Sequence, residues 1–206
     1  MTKVGQSDES TKQTTRNIFL FLVSRLTFVL KQIELTLIQM IITKGTLDDL
    51  EELMALYEAV KEEMWRKNLF QWTKNYPNPE VIRGDISRNK NFLIRSTEKV
   101  VATVCLNEEQ DEQYQDIDWK FDGSKVLVIH RLAVLPEAQG KGYARKLIEF
   151  SENLARRKGC TSIRLDTYSP NTASISLYEK YGFIKRGIVF FPERKEEFFC
   201  MEKEIV

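Results

Sequence analysis

The segment 126–147, VLVIHRLAVLPEAQGKGYARKL, narrows what this chain can fold into more than any other stretch. Its first nine residues form an apolar run broken only by His130 and Arg131, as a strand buried on both faces requires. A loop carrying Gly140 and Gly142 follows, then a helix that opens with Lys141, Arg145 and Lys146. Cations at that end oppose the helix dipole, so stability alone would place acids there. The order strand, glycine loop, helix start makes a phosphate cradle, with the free amides of Gly140 to Ala144 converging on an anion. The plainer alternative is exposed charge, with Arg145 in i,i+4 reach of Glu149.

Two nucleotide-binding patterns fail in detail. The third glycine of G-x-G-x-x-G is missing, and Gly142 stands where a Walker A loop needs Ser or Thr after Lys141. The 31 basic and 30 acidic residues leave a net charge of +1, which excludes a global field for nucleic acid. Any anion site must be local. Cys105, Cys160 and Cys200 show no metal or disulfide spacing and read as free thiols of a reducing cytoplasm; with His130 the single histidine, no metal site is expected.

At 206 residues and 42% hydrophobic content, one α/β domain is the expected body of the chain. Residues 1–15 are polar and read as disordered. The apolar run that follows is broken by Arg25, Lys31 and Glu34, so it should not span a bilayer. Its helical spacing, from Phe19 through Leu22, Leu26 and Leu30, predicts an amphipathic helix docked on the domain or on a second copy in a homodimer. Alternatively the native chain starts at Met40, and residues 1–39 contribute nothing.

From Met40 onward the order is a short strand, two helices to about Arg88, a hairpin through Thr97, the acidic loop Glu108–Asp118, the central strand, a helix to Lys158, a strand, a helix closed by Gly182, and a final antiparallel pair. This predicts a mixed α/β sheet. The acidic loop reads either as solvated or as an attraction for a cationic substrate. Trp65, Trp72 and Tyr76 read either as core cover or as the lining of an acceptor pocket.

Gln139-Gly140-Lys141-Gly142-Tyr143-Ala144, after Leu132 to Pro136, resembles the Gln/Arg-x-x-Gly-x-Gly/Ala signature of the GNAT superfamily of acyl-CoA-dependent N-acyltransferases. Asn171 followed by Leu177-Tyr178-Glu179-Lys180-Tyr181-Gly182-Phe183 is similar to that family's second block. The resemblance runs from about Met40 to the C-terminus. It implies a GNAT-like α/β (α+β) domain, a mostly antiparallel sheet flanked by helices, with residues 1–39 as an extension. It also implies acetyl-CoA as cosubstrate and a primary amine as acceptor, attacked directly in a ternary complex. The alternative is an acyl-CoA-binding module of the same fold that turns nothing over.

On that resemblance, the main chain of Leu132, Ala133 and Val134 polarises the thioester, while Gln139, Gly140, Lys141, Gly142, Tyr143, Ala144 and Arg145 grip the pyrophosphate. Tyr178 protonates the leaving thiolate. Asn171 and Ser174 share its helix face, with Asn171 either an N-cap or a ligand of the cofactor arm. A lysine-like amine has a pKa near ~10.4, leaving roughly one molecule in a thousand neutral at pH 7, so a base is needed. His130 on the central strand is the candidate; otherwise it is a histidine hydrogen-bonded within the sheet. In a regular strand His130 and Arg131 alternate, so only one of them should face the acceptor.

Overall fold

The computed structural model describes residues 6–38, 41–121 and 125–206. The chain divides into two compact units, one ending at Ile41 and one running from Ile42 to Val206. In the first, α1 (Gln6–Ile38) is a single 33-residue helix. It therefore includes residues 6–15, which contain no glycine or proline to break a helix and which composition alone had left unstructured. Ile18, Phe19, Leu20, Phe21, Leu22 and Val23 are consecutive along it and all exposed. Among the described residues, no helix is long and apolar enough to cross a membrane.

The second unit is built on seven strands: β1 (Ile42–Lys44), β2 (Asn91–Ser96), β3 (Lys99–Asn107), β4 (Val126–Val134), β5 (Ser162–Tyr168), β6 (Ile184–Val189) and β7 (Phe198–Glu204). Their order is β1-β2-β3-β4-β5-β7-β6, antiparallel throughout except for β4 against β5. This is the mixed, mostly antiparallel sheet expected. Helices α2 (Leu50–Arg66), α3 (Pro79–Ser87), α4 (Tyr143–Lys158) and α5 (Thr172–Lys180) flank it. α2 and α4 lie against β3 and β4 with Leu53, Leu56, Leu147 and Ile148 essentially inaccessible, which makes the apolar stripes of these helices the core.

Two departures from a regular sheet shape everything downstream. β4 and β5 pair only from Val126↔Ser162 to Val128↔Arg164, so beyond Val128 the two strands separate and β4 leaves main-chain groups unpaired on that side. In the same part of β4, Thr103 pairs with Ala133 but Cys105 with His130, which sets Arg131 and Leu132 opposite Val104 alone. The extra residue is a β-bulge, and Arg131 takes it up with φ of 51°.

That left-handed conformation is costly for a residue other than glycine, and its surroundings hold it in place. The Arg131 guanidinium grips Asp85 of α3 through Nε at 3.0 Å and Nη2 at 2.7 and 2.8 Å, and donates from Nη1 to the Tyr76 hydroxyl at 2.8 Å. The Tyr57 hydroxyl donates to the Arg131 carbonyl at 3.3 Å. Removing one partner of a buried pair of this kind typically costs about 3–5 kcal/mol.

Candidate active site

The glycine loop is shaped by its backbone. After the 3-10 turn Pro136–Ala138, Gly140 and Gly142 adopt φ of 76° and 89°, which only glycine takes without strain. Gly142 is the N-cap of α4, and this helix start has neither a side-chain cap nor an acid in its first turn. Its free amides remain available to an anion. The Gln139 amide folds back to donate to the Val134 carbonyl at 3.3 Å, tying the loop to β4. Lys141, Arg145 and Lys146 are exposed, and Arg145 approaches Glu149 at 3.7 Å, the weak surface contact foreseen as the alternative. The Tyr143 ring is buried, as are the side chains of Ala133 and Val134, so these three offer main chain only. Ala144 is partly buried beside them.

A cavity of about 910 Å³ opens where β4 and β5 separate. Of the residues the sequence nominates, it brings together His130, Leu132, Ser174 and Tyr178; the loop from Gln139 to Arg145 lies outside its lining. Asn171 is buried next to Ser174 on α5, and of the two expectations for it the N-cap is what is seen. Its Oδ1 accepts from the Ser174 N–H at 3.2 Å as an N-cap, while its Nδ2 donates to Gln71 at 2.9 Å. The Asn171, Ser174 and Tyr178 face is the inward one. Ala173, off that face, is exposed.

Tyr178 is 8% exposed, its ring packed edge-on against Phe183 at 5.6 Å, and its hydroxyl has no hydrogen-bond partner among the described residues. Burial and the charge of Asp166 both raise its pKa, so it stays protonated at neutral pH.

His130 and Arg131 both line the cavity, contrary to strict alternation, because the bulge at Arg131 breaks the two-residue period. The His130 Nε2 lies 2.9 Å from Asn107 Oδ1 and 3.2 Å from the Glu109 carbonyl. Both are acceptors, so Nε2 carries the proton and donates to them. Burial, reinforced by Arg131, pushes the His130 pKa down to about 4.

Several lining residues were not singled out by sequence. Asp166 on β5 accepts from the Tyr114 hydroxyl at 2.8 Å. Burial, opposed by that hydrogen bond and reinforced by Asp111, pushes the Asp166 carboxyl up to about 6. A lone carboxylate in the strand SIRLDTY was its one signal. Asp111 and Gln110 reach the cavity because the acidic loop is anchored, not solvated throughout: Tyr114 is 2% exposed, and Trp119 Nε1 donates to its carbonyl at 3.1 Å. Trp72 and Tyr76 line the cavity, whereas Trp65 props the loop from behind by donating to the Trp72 carbonyl at 3.0 Å. Cys105, Cys160 and Cys200 are buried, and burial pushes the thiols of Cys105 and Cys200 up to about 12.

A sequence profile described as the Acetyltransferase (GNAT) family matches residues 51–183, from the first turn of α2 through α5, and so takes in the glycine loop, Asp166 and Tyr178. The chain belongs to that family. Among curated relatives it is similar to acetyltransferase Atu2258 of Agrobacterium fabrum, 41% identical over 28% of this chain and 41% of the relative. It is likewise similar to human N-acetyltransferase 8B, 31% identical over 48% and 40%. The matched stretches thus span about two fifths of those relatives' length. Among solved structures, a Staphylococcus aureus acetyltransferase aligns over 81% of this chain and 99% of its own, with 27% identity and a TM-score of 0.64. A Salmonella typhimurium acetyltransferase solved with its cofactor acetyl-CoA aligns over 81% and 94% with a TM-score of 0.62; at 18% identity this is a likeness of fold.

Proposed function

We propose that the protein is an N-acetyltransferase that moves an acetyl group from acetyl-CoA to a primary amine by direct attack in a ternary complex. The observation that carries this reading is Tyr178, a largely buried side chain whose hydroxyl is protonated and unpartnered, on a cavity that opens where β4 and β5 part. An acid so placed suits the departing thiolate, which is a reluctant leaving group. The uncapped start of α4 suits the pyrophosphate, and the main chain of Leu132 to Val134, which β5 does not pair, suits the thioester oxygen as it gains charge.

For the amine proton, the chemistry of the cavity favours Asp166 over His130. Burial raises the Asp166 carboxyl to about 6 and lowers His130 to about 4, so the carboxylate is the better proton acceptor of the two. Transfer from an ammonium to Asp166 also cancels two charges in a desolvated space, whereas transfer to His130 would leave a cation beside Arg131. On this reading His130 serves the wall, ordering Asn107 and Glu109 ahead of Asp111.

Thiol release from acetyl-CoA with a panel of primary amines tests the reading. The expected result is amine-dependent release with stoichiometric N-acetylation. Tight acetyl-CoA binding without release for any amine would instead support a non-catalytic binding module.

A further inference from the structure

Six acidic residues line the cavity, Glu80, Asp85, Glu109, Asp111, Asp166 and Glu193, against three arginines, Arg88, Arg131 and Arg194. That is a formal −3 on one wall system in a chain whose total is +1. Pairing sharpens the imbalance. Arg131 is taken up by Asp85, Arg88 lies 3.7 Å from Asp85 and 3.9 Å from Glu109, and Arg194 donates to the carbonyls of Gln71 and Pro192, each at 3.0 Å. Asp111 and Asp166 form no ion pair among the described residues.

These two carboxylates stand at different depths. Asp166 is half-buried on β5, beside the cavity-lining residues Thr167 and Tyr168, whereas Asp111 is exposed on the loop at the cavity's edge. Aromatic rings of Trp72, Tyr76, Tyr168, Phe191 and Phe198 wall the space around them, surfaces that suit a methylene chain and an ammonium alike. The Tyr178 side chain lines the cavity and is 8% exposed as a whole, and its hydroxyl forms no hydrogen bond among the described residues, which leaves it free to meet a ligand there. A carboxylate-bearing acceptor would enter this field unfavourably.

We infer that the acceptor is a small amine bearing a second positive charge, a diamine or polyamine. Its far cation is held at Asp111 while the reacting nitrogen lies between Asp166 and Tyr178. This rests on the acetyl-transfer reading above, and it names the chemistry that reading leaves open.

The test compares kcat/KM for 1,4-diaminobutane, a triamine that extends it, and butylamine, in the full-length protein with acetyl-CoA. The diamine is expected to exceed butylamine by on the order of tenfold. The triamine is expected to do at least as well, and rising salt should narrow the gap. Asp111→Asn, a change in an exposed loop residue, should bring the ratio toward one. Equal values for diamine and butylamine, or a ratio that Asp111→Asn leaves intact, would overturn the inference. If no amine is acetylated, the transfer reading fails and calorimetry decides this one. Triamine binding to the CoA-saturated protein, weakened by Asp111→Asn, would uphold it, and no binding would overturn it.

Discussion

The two ends of the site are built from different materials. At the α4 end the groups aimed outward are backbone amides, placed by two left-handed glycines and a helix start without a cap. In the cavity the groups are side chains, Tyr178, Asp166, Asp111 and Arg131, gathered from β4, β5, α5 and the loop before β4. A backbone site depends on local conformation and tolerates change in neighbouring side chains. A side-chain site depends on burial and on neighbouring charge, which set the proton affinities within it. The first kind suits a cosubstrate common to many enzymes; the second suits the chemistry and the choice of acceptor.

Substitutions should separate the two ends, and they rank as follows. On the proposed acid role of Tyr178, Tyr178→Phe should lower kcat on the order of a hundredfold or more, as read by thiol release. Asp166→Asn should lower kcat/KM by roughly tenfold to a hundredfold and abolish an acid limb near pH 6 in its pH profile.

Asp166 also has a stability signature. Because its folded pKa is raised, the stability it contributes is full below about pH 4 and is lost as pH rises through about 6. Denaturant titrations should therefore show the wild type losing ground to Asp166→Asn across that window and running parallel to it above.

Gly142→Ala forces an L side chain into φ of 89°, a strain of about 1–2 kcal/mol, and should weaken acetyl-CoA binding about tenfold with kcat nearly unchanged. His130→Gln should change kcat by less than about threefold. Its effect belongs to stability: a histidine with a depressed pKa contributes above about pH 6.5, and that contribution is lost as pH falls through about 4. The variant should thus resist acid unfolding better than the wild type. A large fall in kcat for His130→Gln, with its pH limb displaced, would return the base to His130.

The contrast between the two ends also explains what could be read without a structure. The strand, loop and helix of 126–158 are local, and glycines at fixed offsets announce their own conformation, so that region and the order of elements around it were legible. The cavity was not. Asp166 meets Tyr114 from 52 residues away, and Arg131 meets Asp85 from 46, distances at which periodicity carries no information. The bulge at Arg131 was hidden as well, since nothing in the residue type arginine signals a positive φ. Without the bulge, alternation assigns one of His130 and Arg131 to the cavity; with it, both are there. Asp111 lay unmarked in a run of acids until Tyr114 and Trp119 fixed the loop.

The most direct test of a divided site is a calorimetric titration of acetyl-CoA into Tyr178→Phe and Gly142→Ala, set beside their kcat values. A crossed pattern is expected: Tyr178→Phe binds acetyl-CoA like the wild type and barely turns over, and Gly142→Ala turns over at saturation and binds weakly. If Tyr178→Phe lost affinity for acetyl-CoA while kcat stayed intact, the division between a backbone end that binds and a side-chain end that reacts would be contradicted.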